Sequence, residues 1–178
     1  FNKDEKDFIE DTKELLRKCF GNEPLQYKEY KNGVSLVLCS TRAARFFESQ
    51  FGKGAQNKRM PTWVMHDNPG KQAELIKGFW RGDGSFMLKQ YKCGIKRMFR
   101  MNTISKILAG QLRDMLARSG VFASINRLRR DGNRKTMYCL YVGGSFLPRF
   151  TGIIEATVAT EVVVGRQRAW HEIKEINA

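Results

Sequence analysis

The stretch Leu75-Ile76-Lys77-Gly78-Phe79-Trp80-Arg81-Gly82-Asp83-Gly84-Ser85 sets one carboxylate directly after two glycines spaced four apart. At helical spacing Gly78 and Gly82 share a face, and the bare backbone there lets a second helix approach closely. Leu75 and Phe79 flank that face as packing groups. Asp83 then falls at the helix end, and Gly84 is placed to permit a sharp exit into a strand. Two such helices side by side would bring two carboxylates together. Paired carboxylates suit Mg²⁺, which keeps several waters and bridges to phosphate. Such a site activates water and stabilises the leaving oxygen of a phosphodiester. Asp-Gly also serves as a plain turn; what favours the ligand here is the Gly-xxx-Gly helix before it and the basic segment after it.

The charge balance points the same way. The chain of 178 residues carries 32 Lys/Arg against 18 Asp/Glu, a formal +14. Residues 77–149 hold 16 of those cations and only 3 acids, a net of +13, whereas residues 1–76 come to +2 and residues 150–178 to −1. A surplus of that density favours a polyanionic partner over a merely soluble basic face, because neutralised phosphates release condensed counterions. The basic residues alternate with aromatics and amides, which favours nucleic acid.

Cys19, Cys39, Cys93 and Cys139 show no paired spacing, and only His66 and His171 accompany them. Neither a zinc site nor a disulfide framework is suggested, and reduced thiols in the cytoplasm are the expectation. Scarce histidine also argues against histidine-based nucleases and Ser-His-Asp hydrolases. No apolar run approaches a membrane span and no signal-peptide pattern opens the chain. The first residue is Phe1 rather than Met, so the chain is expected to be part of something longer.

The elements that must position Asp83 repeat. Residues 5–20 predict a helix ending at Gly21, followed by strands at 24–31 and 33–39 hinged at Asn32-Gly33, then a helix capped by Ser40 or Thr41 and stopped at Gly52. Residues 53–70 read as a linker punctuated by Pro61, Pro69 and Gly70. A second series runs through a helix at 71–83, strands at 85–92 and 96–103 around Cys93-Gly94, and a helix capped by Ser105 and stopped by Gly120. Strands at 122–130 and 134–142 follow, joined by Asp131-Gly132-Asn133, and Ser145 opens a last helix broken early by Pro148. Asn2, Phe8 and Leu15-Leu16 match Asn102, Leu108 and Met115-Leu116 at an offset of 100. Lys31, Leu36, Arg45 and Phe46 match Lys135, Leu140, Arg149 and Phe150 at an offset of 104. Two pseudo-symmetric halves are implied, the second complete as α-β-β-α-β-β-α and the first without its opening helix and first strand.

Ile76 to Gly84 resembles the second motif of double-motif LAGLIDADG homing endonucleases, and the following Ser85-Phe86 fits that family's first strand. Residues 102–120 and 139–150 look like its mid-unit helix and its last strand. Residues 51–64 resemble the connection between halves in intein endonucleases, and Trp170 to Ile176 resembles the return into an intein splicing domain. The resemblance implies an α+β fold of αββαββα repeats with curved antiparallel sheets. It divides the chain into a partial first repeat (1–52), a linker (53–70), a complete second repeat (71–158) and a tail towards a splicing domain (159–178). It implies site-specific, Mg²⁺-dependent cleavage of double-stranded DNA by a full-length monomer that is covalently part of an intein and its host protein.

Residue by residue, the resemblance makes Asp83 the metal-binding acid and Gly78 and Gly82 the helix contacts. Lys31 and Lys135 fall where the family often places a basic residue that polarises water, although a hairpin-flanking lysine is otherwise simply solvated. Arg81 departs from the family's acidic residue at a position that is not the ligand. The first motif, with the partner carboxylate, should precede Phe1. On a four-stranded sheet with alternating faces, the expected groove-facing residues are Lys89, Tyr91, Lys96, Arg100, Asn126, Arg127, Arg129, Arg130 and Arg134. Phe86, Leu88, Phe99 and Met101 are expected beneath the sheet. Arg and Lys can pair with guanine edges and Asn126 with adenine. The competing readings are a binding module without activity and an RNA-splicing maturase on the same fold; a transcription regulator would add a helix-turn-helix not found here.

Overall fold

The computed structural model describes residues 1–21, 23–91, 94–129, 135–155 and 167–168. The chain divides into two compact units, Phe1–Gln50 and Phe51–Ala178.

In the first unit, helix α1 (Lys6–Phe20) leads to an antiparallel hairpin of β1 (Leu25–Tyr30) and β2 (Gly33–Leu38), and then to α2 (Thr41–Phe51). Tyr30 pairs with Gly33, so the two turn residues are Lys31 and Asn32, one position earlier than the expected Asn32-Gly33 hinge. Neither has a positive φ, so the turn does not use the left-handed geometry that Asn-Gly was expected to supply. Ser40 caps α2 by accepting from the Ala43 amide at 3.3 Å. The Phe1 ammonium donates to the Val34 carbonyl and the Val34 amide donates to the Phe1 carbonyl, adding one more residue to the hairpin edge. The core is thin: Ile9, Val34 and Ala43 are its buried apolar residues, while Leu15, Phe46 and Phe47 stay exposed.

The second unit opens with a single 3-10 turn (Ala55–Asn57) and a short helix α3 (Thr62–Met65). Helix α4 (Pro69–Asp83) then feeds β3 (Gly84–Tyr91) and β4 (Gly94–Thr103), α5 (Lys106–Arg118), β5 (Ser124–Leu128), β6 (Met137–Gly143) and α6 (Leu147–Ile154). A two-residue strand β7 (Gln167–Arg168) pairs with the start of β3. The sheet is antiparallel and open, in the order β5-β6-β4-β3-β7. This is the α+β class expected from the sequence, and the order helix, strand, strand, helix of the first unit is that of α5, β5, β6 and α6.

Two local expectations change. Pro148 does not break the last helix; it sits in its first turn, where a missing N–H costs nothing and the fixed φ favours the helix. Residues 53–70 are not a free linker. Ser105 Oγ donates to the Lys58 carbonyl at 2.6 Å while accepting from the Leu108 amide as the α5 cap. Gln111 exchanges two hydrogen bonds with the Met60 backbone, and Arg118 donates to the carbonyls of Met65 and Asp67.

The core of this unit lies between the three helices and one sheet face. Ile76 and Trp80 of α4, Leu108, Leu112, Met115 and Leu116 of α5 and Phe150 of α6 meet Phe86, Phe99, Met101, Leu140 and Val142. Trp80 stands edge-on to Phe99 (4.9 Å) and to Phe150 (5.6 Å), the favoured arrangement for ring quadrupoles. Phe86, Phe99 and Met101 are buried as expected, and Leu88 is half-buried against the same cluster.

Candidate metal-binding acid and nucleic-acid interface

Helix α4 presents the carboxylate. Asn68 caps its start, accepting from the Gly70 amide at 2.7 Å, and Pro69 occupies the first turn. Gln72, Ile76 and Trp80, four apart, are buried, and Gln72 Nε2 ties the helix to the carbonyls of Val64 and Met65. The stripe carrying Gly78 and Gly82 is exposed; a Cβ added to either would meet nothing within 4 Å. Leu75 and Phe79 flank this stripe half-buried, with part of each side chain already against the unit's own core.

Asp83 is the last residue of α4, exposed, and has no hydrogen bond or ion pair among the described residues. Gly84 follows with φ −78° and ψ 159°, ordinary extended backbone, which corrects the expectation that it serves an unusual turn. Its role is steric: a Cβ there would lie 2.3 Å from the Trp80 ring and 2.5 Å from the Trp80 carbonyl oxygen. The glycine therefore keeps Asp83 and β3 tight against the core tryptophan.

Gly84 pairs with Met101, and the register continued one step sets Asn102 opposite Asp83. Asn102 Oδ1 is buried and has no hydrogen-bond donor. A buried amide oxygen without a donor and an exposed carboxylate are both hard oxygen donors, the chemistry that holds the waters of a hydrated divalent cation. Among the described residues no group of three or more His, Cys, Asp or Glu side chains could enclose a metal ion. Asp83 thus fits an open site that takes further ligands from elsewhere, not a closed cage.

Strand alternation divides the residues expected to face a groove. Phe86, Phe99, Met101, Leu140, Val142 and Ile125 face the helices. Ser85, Met87, Lys96, Met98, Arg100, Asn102, Tyr141, Ser124 and Asn126 have the opposite parity, and this open face carries cations and amides and no acid among the described residues. Lys96, Arg100 and Asn126 therefore lie on the open face. Arg127 does not: it shares the parity of Ile125, on the helix side, because Ile125 is the position β5 commits to the core. β5 ends at Leu128, so Arg129 lies past it. Lys89 and Tyr91 pair with Lys96 and Gly94 through the backbone, while their side chains, and the whole of Arg130 and Arg134, lie outside the described residues.

The two lysines are exposed. Lys31 is a turn residue of the first hairpin, and the Lys135 ammonium donates to Gln56 Oε1. No contact among the described residues joins Lys135 to Asp83.

Several open-face residues escaped the sequence reading. Tyr141 stands opposite Arg100 and is hydrogen-bonded to it. Burial pushes the Tyr141 phenol above its usual range, the neighbouring Cys139 pushes the same way, and the Arg100 guanidinium pulls against both. Met87, Met98, Asn126, Tyr141, Gly143 and Phe146 are among the residues lining a cleft of about 610 Å³ on this face. The signal was available: Lys96, Met98 and Arg100 alternate in sequence, but only the charged members had been assigned to the groove.

Residues 70–155 match the family model of the LAGLIDADG-like domain. Over 84% of this chain the fold superposes on 72% of the homing endonuclease I-DmoI, solved in complex with its target DNA in the presence of Mg, with a TM-score of 0.58 at 17% identity. The fold is that of a LAGLIDADG homing endonuclease. Other structures of I-DmoI contain DNA with Ca, or its target DNA in the presence of Mn. Among curated proteins, the ATP-dependent DNA helicase Hel308 of Thermococcus kodakarensis is 28% identical over 146 residues, 79% of this chain. An iron-sulfur cluster assembly SufBD family protein of Mycobacterium bovis is 24% identical over 133 residues, 74% of this chain. The chain spans only 13% and 15% of the length of these two relatives. Among the described residues no helix is long and apolar enough to cross a membrane.

Proposed function

We propose that this chain is part of an intein-borne homing endonuclease that binds duplex DNA on the open face of β3–β6 and cuts it at a divalent metal held by Asp83. One observation carries the reading: an exposed carboxylate at the end of a glycine-striped helix stands at the edge of a cationic sheet face that carries no acid among the described residues. Lys96 and Arg100 supply charge to grip phosphates and Asn126 an amide to read a base edge. Asn102, with its unpaired oxygen, orients a water beside Asp83. Mg²⁺ or a similar ion, when bound, would activate the attacking water and neutralise charge on the leaving oxygen. A second helix seated on Gly78 and Gly82 would bring the partner carboxylate.

The intein setting draws support from the curated relatives. A helicase and an iron-sulfur assembly protein share no chemistry in their names, yet each contains a segment similar to this chain that makes up a small part of its length. An inserted element accounts for that pattern.

The alternative is a binding module on the same fold. It is favoured by the single carboxylate that the described residues bring to the site.

The proposal is tested first by salt titration of duplex binding. With about 6–10 phosphate contacts, affinity falls by about 10³–10⁵ between 50 and 200 mM salt. Affinity that stays flat over this range refutes the open face as a DNA surface.

A further inference from the structure

The open face of the second sheet is not uniformly polar, and an apolar depression on it has a specific shape. Met87 pairs with Met98 across β3 and β4, Met98 pairs with Gly143 across β4 and β6, and the register continued one more step reaches Phe122. Gly143 contributes no side chain to this row, so a notch opens between the Met98 and Phe122 side chains. Phe146 closes one wall, edge-on to Phe122 at 5.4 Å between ring centres. Lys96 and Asn126 stand among the lining residues of the same cleft.

The core-facing side of these strands is already filled; Met87, Met98 and Phe122 lie outside the core cluster, while Phe146 packs partly against it. Phe122 is 65% exposed, an unfavourable place for a phenyl ring unless something covers it. The surrounding charge selects what that is. The cleft lining carries one cation, Lys96, one amide, Asn126, and no acid among the described residues, so its occupant is anionic overall and carries a small apolar group. In the major groove of duplex DNA one such group exists, the 5-methyl of thymine. An Asn amide pairs with N6 and N7 of adenine, the base opposite that thymine. Amide and apolar notch therefore read the two halves of one A·T pair.

We propose that the cleft of Met87, Met98, Gly143, Phe122 and Phe146 is a thymine-methyl subsite that, with Asn126, directs this chain to A·T pairs within its target. The assignment rests on the DNA-binding reading above and deepens it: the sheet face supplies affinity through charge and specificity through an apolar contact.

The test uses the 178-residue chain and duplexes it selects from a randomised pool, with each thymine then replaced singly by deoxyuridine, which lacks only the methyl. For the wild-type chain, one or two adjacent positions lose about four-fold in affinity, the worth of burying one methyl-sized group. Phe122→Ala binds thymine and deoxyuridine duplexes equally at those positions. Phe122→Leu, still apolar, keeps a penalty. Because Phe122 is mostly exposed, neither change threatens folding. Deoxyuridine tolerated at every position by a wild-type chain that still binds the duplex overturns the subsite and leaves the DNA-binding reading intact. A penalty unchanged in both Phe122→Ala and Met98→Ala overturns it too. Failure of the wild-type chain to select any duplex overturns the DNA-binding reading and the subsite with it.

Discussion

Arg100 and Tyr141 are direct cross-strand partners on β4 and β6, joined by a side-chain hydrogen bond on the open face of the sheet. The pairing fixes a phenol and a guanidinium together at the middle of the surface proposed to meet DNA. Burial raises the phenol's pKa, Cys139 adds to the rise, and the Arg100 bond only partly offsets it. A group whose folded pKa lies above its unfolded value of 10.0 contributes stability that is complete below that pH and lost as pH rises through the folded value. An absorbance titration of the phenolate band, wild type minus Tyr141→Phe, is expected to show this tyrosine ionising above the ordinary range. Ionisation at or below pH 10 would contradict the burial described.

Asp83→Asn is expected to abolish metal-dependent cleavage by the full-length protein while leaving duplex affinity within about two-fold. The change keeps shape and removes the charge that holds the ion. Cleavage in Mg²⁺ at the wild-type rate would remove Asp83 from the metal site. Equal inactivity of wild type and variant, with binding intact, would favour the binding module.

Trp80→Ala removes the side chain that α4 shares with Phe99 and Phe150, at 2% exposure. The cost is expected at about 3–5 kcal/mol, a large share of a domain's stability. Chemical denaturation followed by far-UV circular dichroism measures it. A loss under 1 kcal/mol would mean the ring is not packed as described.

Gly84→Ala drives a methyl into that same tryptophan ring and its carbonyl. Overpacking of this kind costs about 1–3 kcal/mol. The diagnostic comparison is Gly78→Ala, in open space on the same helix, which is expected to be neutral or slightly stabilising because alanine favours helix over glycine. If the two substitutions lowered the melting temperature equally, the steric role of Gly84 would be lost.

Helix periodicity and caps made α1, α4 and α5 legible, since Ser105, Gly120 and the spacing of Ile76 and Trp80 act within one turn of where they stand. The acid at the end of α4 and its bare glycine stripe were legible for the same reason. The run Asn126-Arg127-Leu128-Arg129 was not. Both of its arginines share the parity of Ile125, and only the burial of Ile125 against the helices decides which residues face out. Asn102 was hidden because its place next to the Gly84–Met101 rung, where α4 ends and β3 begins, is set only by the β3–β4 register. The reason for Gly84 was equally invisible: a turn glycine and a contact glycine have the same letter.

The hydrogen bonds that hold Lys58, Met60, Met65 and Asp67 against α5 change what can be exchanged between relatives. A free spacer of eighteen residues would wander over a span on the order of 20 Å and could be cut or replaced anywhere along its length. Here those residues are tied to α5, beyond α3 and α4, and their carbonyls accept from Ser105, Gln111 and Arg118. A chimera that brings a foreign first unit must therefore join it after α2 ends at Phe51 and before Lys58. A junction drawn further along would separate α5 from the strap it grips and leave both halves of the hybrid with broken ends.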